Sequence, residues 1–160
     1  MSQKITPCLW YDNNAEQAAK YYVSVFPESK IKNIEHYGKA EADESGMPEG
    51  SVMTVSFELN GNEFLALNGG SAFKLSEAVS FMIECKDQAE IDYYYEKLSA
   101  VPESEVCGWL KDKFGVSWQI MPKDFDKMMS ELEKKKKQKV MGALLKMKRI
   151  NLKELKDAAE

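Results

Sequence analysis

Side chains suited to nucleophilic or metal chemistry are few in this chain. There is one histidine, His36, and there are three cysteines, Cys8, Cys85 and Cys107. A single histidine builds a metal triad or a Cys–His couple only with help from carboxylates or distant partners. On a strand facing solvent or a sheet rim it does neither. The cysteines are odd in number, widely spaced and set among apolar residues, which points to reduced core thiols ahead of a disulfide or a metal cluster. Cys107 has no adjacent activator, so no reactive thiol is expected there. Glu84 alternates with Ser80 and Met82 along one strand face. It could act as a general base if its surroundings were dry, or simply stand exposed at the strand end. No catalytic residue is assigned on these grounds.

Gln119 is the better-placed polar side chain. The stretch from Cys107 to Pro122 has two apolar-rich arms joined by Asp112-Lys113-Phe114-Gly115. Asp starts a type I turn well and Gly takes a following positive φ without steric cost, so a β-hairpin is expected. In the second arm Val116, Trp118 and Ile120 alternate with Ser117, Gln119 and Met121. That period of two gives one apolar face and one face carrying the amide, and Gln119 is expected to look into the hollow of a curved sheet. Trp118 falls with the core residues, whereas Trp109 is suited to wall a cleft for a flat or apolar ligand.

The elements that must position this hairpin follow from the chain in order. Residues 5–11 form a short edge or entry strand with Pro7. Residues 15–26 form a helix with Ala18, Ala19, Tyr22, Val25 and Phe26 on one face, preceded by the Asp12-Asn13-Asn14 turn and cap and ended by Pro27. Residues 30–37 form a strand, and 38–50 an acidic loop. Residues 51–59 and 62–68 form a hairpin around Asn60-Gly61, closed by Gly69-Gly70. The order then recurs: a strand over 78–85, a helix over 87–98 with Ile91, Tyr94, Tyr95 and Leu98 inward, then at least two strands.

From Lys123 onward the strands stop. Asp124 caps a helix with Phe125, Met128, Met129 and Leu132 in register, and residues 134–137 continue it or fray. Val140, Met141, Leu144 and Leu145 make a second stripe, and Asn151 caps a last short helix through Leu152 and Leu155. Such stripes need a surface to cover. The methionines of this tail fit core packing, and the lysine run fits a solvated helix face better than a nucleic-acid or acidic-lipid contact.

The 160 residues are 44% hydrophobic and 30% charged, the composition of one globular domain with a real core. Residues 1–122 carry 10 Lys/Arg against 19 Asp/Glu, and residues 123–160 carry 12 against 7. An acidic body argues against nucleic acid as its partner, since phosphate binding needs a basic surface. The basic tail is suited to dock on an acidic body, its own or a neighbour's. No apolar run approaches a bilayer span and the N-terminus has no signal-type apolar core, so no membrane association and a cytoplasmic location are expected.

The chain resembles the vicinal oxygen chelate superfamily (glyoxalase, bleomycin resistance and dihydroxybiphenyl dioxygenase types), and within it the PhnB-like group, whose members often carry the name 3-demethylubiquinone-9 3-methyltransferase. The resemblance rests on Ile5-Thr-Pro…Trp10-Tyr-Asp, Ala15-Glu…Ala18-Ala…Tyr21-Tyr…Phe26-Pro27, Phe64…Leu67-Asn-Gly-Gly70, Phe73-Lys…Glu77-Ala…Ser80-Phe81 and Cys107-Gly-Trp-Leu-Lys-Asp-Lys-Phe-Gly-Val-Ser-Trp-Gln-Ile, with Val140-Met…Leu144-Leu…Met147-Lys…Ile150 in the tail. It implies an α+β fold of two βαβββ modules, about 5–70 and 78–122, forming a curved mixed sheet around a cleft. Residues 1–122 would be the family domain and residues 123–160 a helical C-terminal extension. It also implies a homodimer that can exchange elements.

Metal-using members take ligands from the first and last strands of each module. By position these fall near Pro7, near Leu67, on Ser80 and on Gln119. None is a histidine or carboxylate, although an amide oxygen occasionally ligates, and a divalent ion wants about three His, Asp or Glu ligands. Leu67, Ser80, Trp109 and Gln119 are therefore expected to line a metal-poor ligand cleft with no cofactor, Ser80 and Gln119 being otherwise polar residues of a hydrated sheet face. The leading reading is a module that binds a small aromatic or apolar molecule in the manner of bleomycin-resistance relatives. The rival is a divalent-metal enzyme acting on adjacent oxygens by Lewis-acid activation. Methyl transfer finds no motif: Asn68-Gly-Gly70 ends a strand rather than leading into a nucleotide-binding helix, and no S-adenosylmethionine site is expected.

Overall fold

A computed structural model of the protein describes residues 4–160. It is α+β, with six α-helices and two mixed sheets of four and three strands, and helices close the C-terminal end. Two compact units divide the chain after Leu75.

The first unit runs β1 (Cys8–Tyr11), α1 (Ala15–Val25), β2 (Lys30–His36), α2 (Lys39–Ser45), β3 (Val52–Leu59) and β4 (Asn62–Asn68). Its sheet order is β1-β4-β3-β2, with β1 parallel to β4 and the other pairs antiparallel. The β3–β4 turn is the expected one: Asn60 and Gly61 both take positive φ, 46° and 80°, which matches the strand twist. Alternation sends Val55, Phe57 and Leu59 of β3 and Phe64 and Ala66 of β4 to one buried face. The α1 residues Ala15, Ala18, Ala19 and Tyr22, all fully buried, lie on the same side. Tyr22 stacks on Phe57 with centroids 6.2 Å apart, and Phe57 on Phe64 at 5.5 Å.

The cap of α1 comes from an unexpected place. Asn14 sits at the N-cap but makes no side-chain cap bond. Asn68, at the end of β4, accepts from the Ala15 N–H at 2.8 Å and donates to the Val52 carbonyl at 3.0 Å, while its own carbonyl accepts from the Tyr37 hydroxyl. Asn68 is 4% exposed, so these bonds replace water it has lost. The next residue, Gly69, has no room for a side chain, because a Cβ there would lie 2.2 Å from the Trp10 ring.

The acidic stretch expected as loop contains α2. Lys39, Ala40, Glu41, Ala42 and Glu44 are good helix formers and the helix buries none of its residues, so it shows no apolar stripe to read. Gly46, at φ 73°, ends it by donating to the Ala42 carbonyl at 2.9 Å.

The second unit runs β5 (Ser80–Cys85), α3 (Gln88–Leu98), a 3₁₀ turn (Pro102–Ser104), β6 (Trp109–Lys111), β7 (Ser117–Pro122), α4 (Phe125–Glu131), α5 (Lys134–Leu144) and α6 (Leu152–Ala159). Its sheet order is β5-β7-β6, with β5 parallel and β6 antiparallel to β7. Ile91, Tyr94, Tyr95 and Leu98 of α3 are buried, as are Cys85, Leu110, Trp118 and Ile120 of the strands. Two strands follow α3 here, where the first unit has three after α1. Between α3 and β6 the chain makes the 3₁₀ turn and a single bridge between Val106 and Trp109. Cys107 and Gly108 then turn with φ of 53° and 84°. Their N–H groups, which a neighbouring strand would have taken, go to the Met147 and Lys148 carbonyls at 2.7 and 2.9 Å.

The tail therefore docks on its own unit. Gln88 donates to the Ile150 carbonyl at 3.0 Å and accepts from the Leu152 N–H at 2.8 Å. Arg149 lies over the Tyr95 ring, 4.6 Å from its centroid, and pairs with Asp92 at 3.2 Å and Glu96 at 3.3 Å. The lysine run neither continues α4 nor frays. Leu132 and Glu133 are extended, and Lys134 opens α5. Val140, Leu144, Met147, Ile150 and Leu155 are buried, while Leu145 of the expected stripe is 64% exposed. Asn151 caps α6 as expected, accepting from the Lys153 and Glu154 N–H groups at 3.0 and 3.2 Å.

Two consequences are testable. Asn68→Ala strips α1 of its cap and removes the amide's bond to the Val52 carbonyl, so a loss of about 2 kcal/mol is expected. It would be read as a lower urea midpoint at unchanged slope, and an unchanged midpoint would show that Asn68 holds nothing. Burial, with help from Glu90 and Asp87, pushes the Cys85 thiol up to about 12. At pH 8 Cys85 is thus expected to resist a thiol reagent until the protein is denatured, as mass spectrometry of labelled peptides would show. Native labelling at the rate of a free peptide thiol would contradict the packing of Cys85.

Candidate functional site

Each sheet has a face turned away from its helix, and the predicted site residues lie on these faces. In the first unit Leu67 pairs in register with Trp10 on β1 and Thr54 on β3, opposite to the buried Phe64 and Ala66. Trp10 is half-buried, donates its indole N–H to the Gly70 carbonyl at 2.8 Å, and meets the exposed Phe73 ring edge-on at 4.9 Å. Leu67 thus belongs to an apolar surface of aromatic and aliphatic groups. Cys8 lies along the same face, where partial burial raises its thiol pKa.

The second unit brings Ser80, Trp109 and Gln119 together. Register aligns Ser80 with Ser117 and Lys111, then Met82 with Gln119 and Trp109, then Glu84 with Met121. Because Trp118 and Ile120 point into the core, Ser117, Gln119 and Met121 share the opposite face. Gln119 donates from Nε2 to the Ser80 hydroxyl at 2.8 Å, tying β7 to β5 through their side chains. Trp109 is half-buried beside Gln119, and Met82 is 57% exposed.

Two features of this face lie beyond the predicted set. Ser117 is 2% exposed, and its hydroxyl is the one buried side-chain N or O without a hydrogen-bond partner among the described residues. Lys111 forms an ion pair with Glu77, whose carboxyl is held below its usual range first by that hydrogen bond. Ser117 already alternated with Gln119 in the sequence, and Lys111 follows Trp109 by two residues. Their period was visible; their burial and pairing were not.

What holds this face in place is the turn before it. Asp112 is 2% exposed and its Oδ1 accepts from the Phe114 and Val116 N–H groups at 2.8 and 3.1 Å. Its Oδ2 accepts from the Trp118 indole N–H at 2.8 Å. Gly115, at φ 91°, closes the turn with its N–H on the Asp112 carbonyl at 3.0 Å.

The other candidates fall elsewhere. His36 is exposed at the end of β2. Glu84 is exposed on its strand, whereas base catalysis asks for a dry surround. Cys107 is half-buried in the strained turn that receives the tail. A polar cavity of about 490 Å³ lies along α3 and the tail, lined by Gln88, Asp92, Arg149 and Asn151 among others, away from the sheet faces.

Of the carried-over positions in the second unit, Ser80 offers a hydroxyl and Gln119 an amide, and the two are bonded to each other. No three His, Cys, Asp or Glu side chains converge to hold a metal among the described residues. No helix there is long and apolar enough to cross a membrane.

Comparison with known proteins agrees with the fold. The family model for 3-demethylubiquinone-9 3-methyltransferase matches residues 3–121. A PhnB protein from Bacillus cereus, which carries the same methyltransferase description, is 34% identical over 75% of this chain and 99% of its own, with a TM-score of 0.61. A Pseudomonas aeruginosa protein is 17% identical over 76% of this chain and 98% of its own, with a TM-score of 0.56, a likeness of fold alone. No curated protein matches the chain. Asn68-Gly69-Gly70 runs into turns and coil up to β5 rather than into a helix, and neither sheet is a parallel doubly wound one. By the extent of the family match and the Bacillus cereus likeness, the chain belongs to the 3-demethylubiquinone-9 3-methyltransferase family, in its PhnB-like group.

Proposed function

We propose that this protein binds a small aromatic or apolar molecule on the open face of its second sheet, without a metal or cofactor. The observation that carries the reading is the row of Met82, Gln119 and Trp109, in which an exposed methionine and a half-buried indole flank an amide bonded to Ser80. Trp109 offers a flat wall, Met82 and Met121 offer adaptable apolar contact, and Ser80 and Gln119 are the few polar groups that fix orientation. Leu67, with Trp10, gives the first unit a related apolar face.

On this reading residues 1–122 are the binding domain and residues 123–160 an extension that braces it through Cys107 and Gly108. The working form is a cytoplasmic homodimer. The family resemblance and the exposed apolar side chains of Ile5, Phe73 and Val79 support a partner copy.

The test is binding to the untagged protein. Calorimetric titration with 2-naphthamide, a neutral flat probe, is expected to saturate and to raise the melting temperature. Trp109→Ala should weaken it about tenfold, about 1.4 kcal/mol. Metal analysis of the same preparation is expected to give no stoichiometric ion, before or after exposure to Zn²⁺, Ni²⁺ and Mn²⁺. One tightly held ion per chain would instead favour the chelate-type enzyme.

A further inference from the structure

The polar row of this face carries information about the ligand. Ser80, Ser117 and Lys111 stand side by side across β5, β7 and β6. A serine hydroxyl has one proton to give and two lone pairs to accept with. Gln119 Nε2 already donates into Ser80 Oγ, which leaves the Ser80 O–H as the group's outward offer. Ser117, between Ser80 and Lys111, is enclosed and not open to a ligand. Lys111 can only donate. The row is thus rich in donors, and it lies next to the row of Met82, Gln119 and Trp109.

A carboxylate already sits at the end of this row. Glu77, in the coil before β5, holds the Lys111 ammonium, and its side chain is 56% exposed while that of Lys111 is 22% exposed. An ion pair whose acid is open to solvent is weak and exchangeable. The cation is the more enclosed partner, so an incoming anion can replace Glu77 without moving Lys111.

We propose that the ligand is an aromatic carboxylic acid, its ring against Trp109 and Met82 and its carboxylate on Ser80 and Lys111, and that Glu77 is the displaceable stand-in for that carboxylate. One carboxylate oxygen takes the Ser80 proton and the other takes Lys111, a pairing of charged acceptor with donors that is stronger than a neutral one. The inference rests on the reading of this face as the ligand surface, and it adds the head group and the competitor.

The experiment compares 2-naphthoate with 2-naphthamide, which share a ring system and differ in charge, by calorimetric titration of the full chain at low and high salt. The naphthoate is expected to bind at least tenfold tighter, with an advantage that shrinks as salt rises. Lys111→Met should abolish the difference between the probes. Glu77→Gln, at an exposed position, should tighten naphthoate at least threefold and leave naphthamide unchanged. Equal binding of the two probes by the unmodified protein would overturn the carboxylate subsite while leaving an aromatic ligand surface standing. Saturable binding of neither would overturn the ligand surface itself. If Lys111→Met fails to fold, the Glu77→Gln result decides alone: no gain for naphthoate rejects Glu77 as competitor.

Discussion

The second unit depends on one buried carboxylate. Asp112 sits between the two arms of the closing hairpin and accepts from two backbone N–H groups of its own turn and from the Trp118 indole. The first two bonds fix the turn, and the third fixes which way β7 faces. With Trp118 drawn inward, strand alternation sends Ser117, Gln119 and Met121 outward as a set. A slip of one residue would exchange the faces and bury the amide in place of the indole. The outward placement of Gln119, and with it the row shared with Met82 and Trp109, is thus a consequence of that turn.

The first unit uses the same device with a different residue. Asn68 ends β4 on the core side and joins it to the start of α1, to β3 and to Tyr37. Gly69 then lets Trp10 lie against the backbone, which sets Trp10 beside Leu67 on the opposite face. In both units a buried polar side chain with its bonds satisfied decides register. The apolar core supplies the bulk of the stabilisation but is less particular about geometry.

The tail has a structural part in this. Cys107 and Gly108 give their N–H groups to Met147 and Lys148, and Gly108 accepts from the Ile120 N–H at 2.8 Å. A Cβ on Gly108 would come within 2.7 Å of the Ile120 carbonyl and 2.9 Å of Ile150. The entry to β6, and so the position of Trp109, is braced from the C-terminal tail. Its basic groups meet acids of the same unit: Arg149 with Asp92 and Glu96, Lys148 with Glu105.

Much of the scaffold was legible from periodicity alone. The apolar positions of α1 and α3, the alternation of β3 and β7, the Asn60-Gly61 turn and the Asp112–Gly115 turn all follow from local rules, because each is a short-range match of residue type to backbone shape. The helix α2 was not legible, since a helix that buries nothing leaves no stripe in the sequence. Nor was the cap of α1, for the residue that performs it is 53 positions away. The same holds for the site. Sequence alone placed Ser80, Gln119 and Trp109 on strands and assigned Gln119 and Trp118 to opposite faces. Only the tertiary structure decided that Ser80 and Gln119 bond, that Ser117 is buried without a partner, and that Lys111 is held by Glu77. Pairings between distant segments and the loss of water from one hydroxyl are set by packing, and no local pattern encodes them.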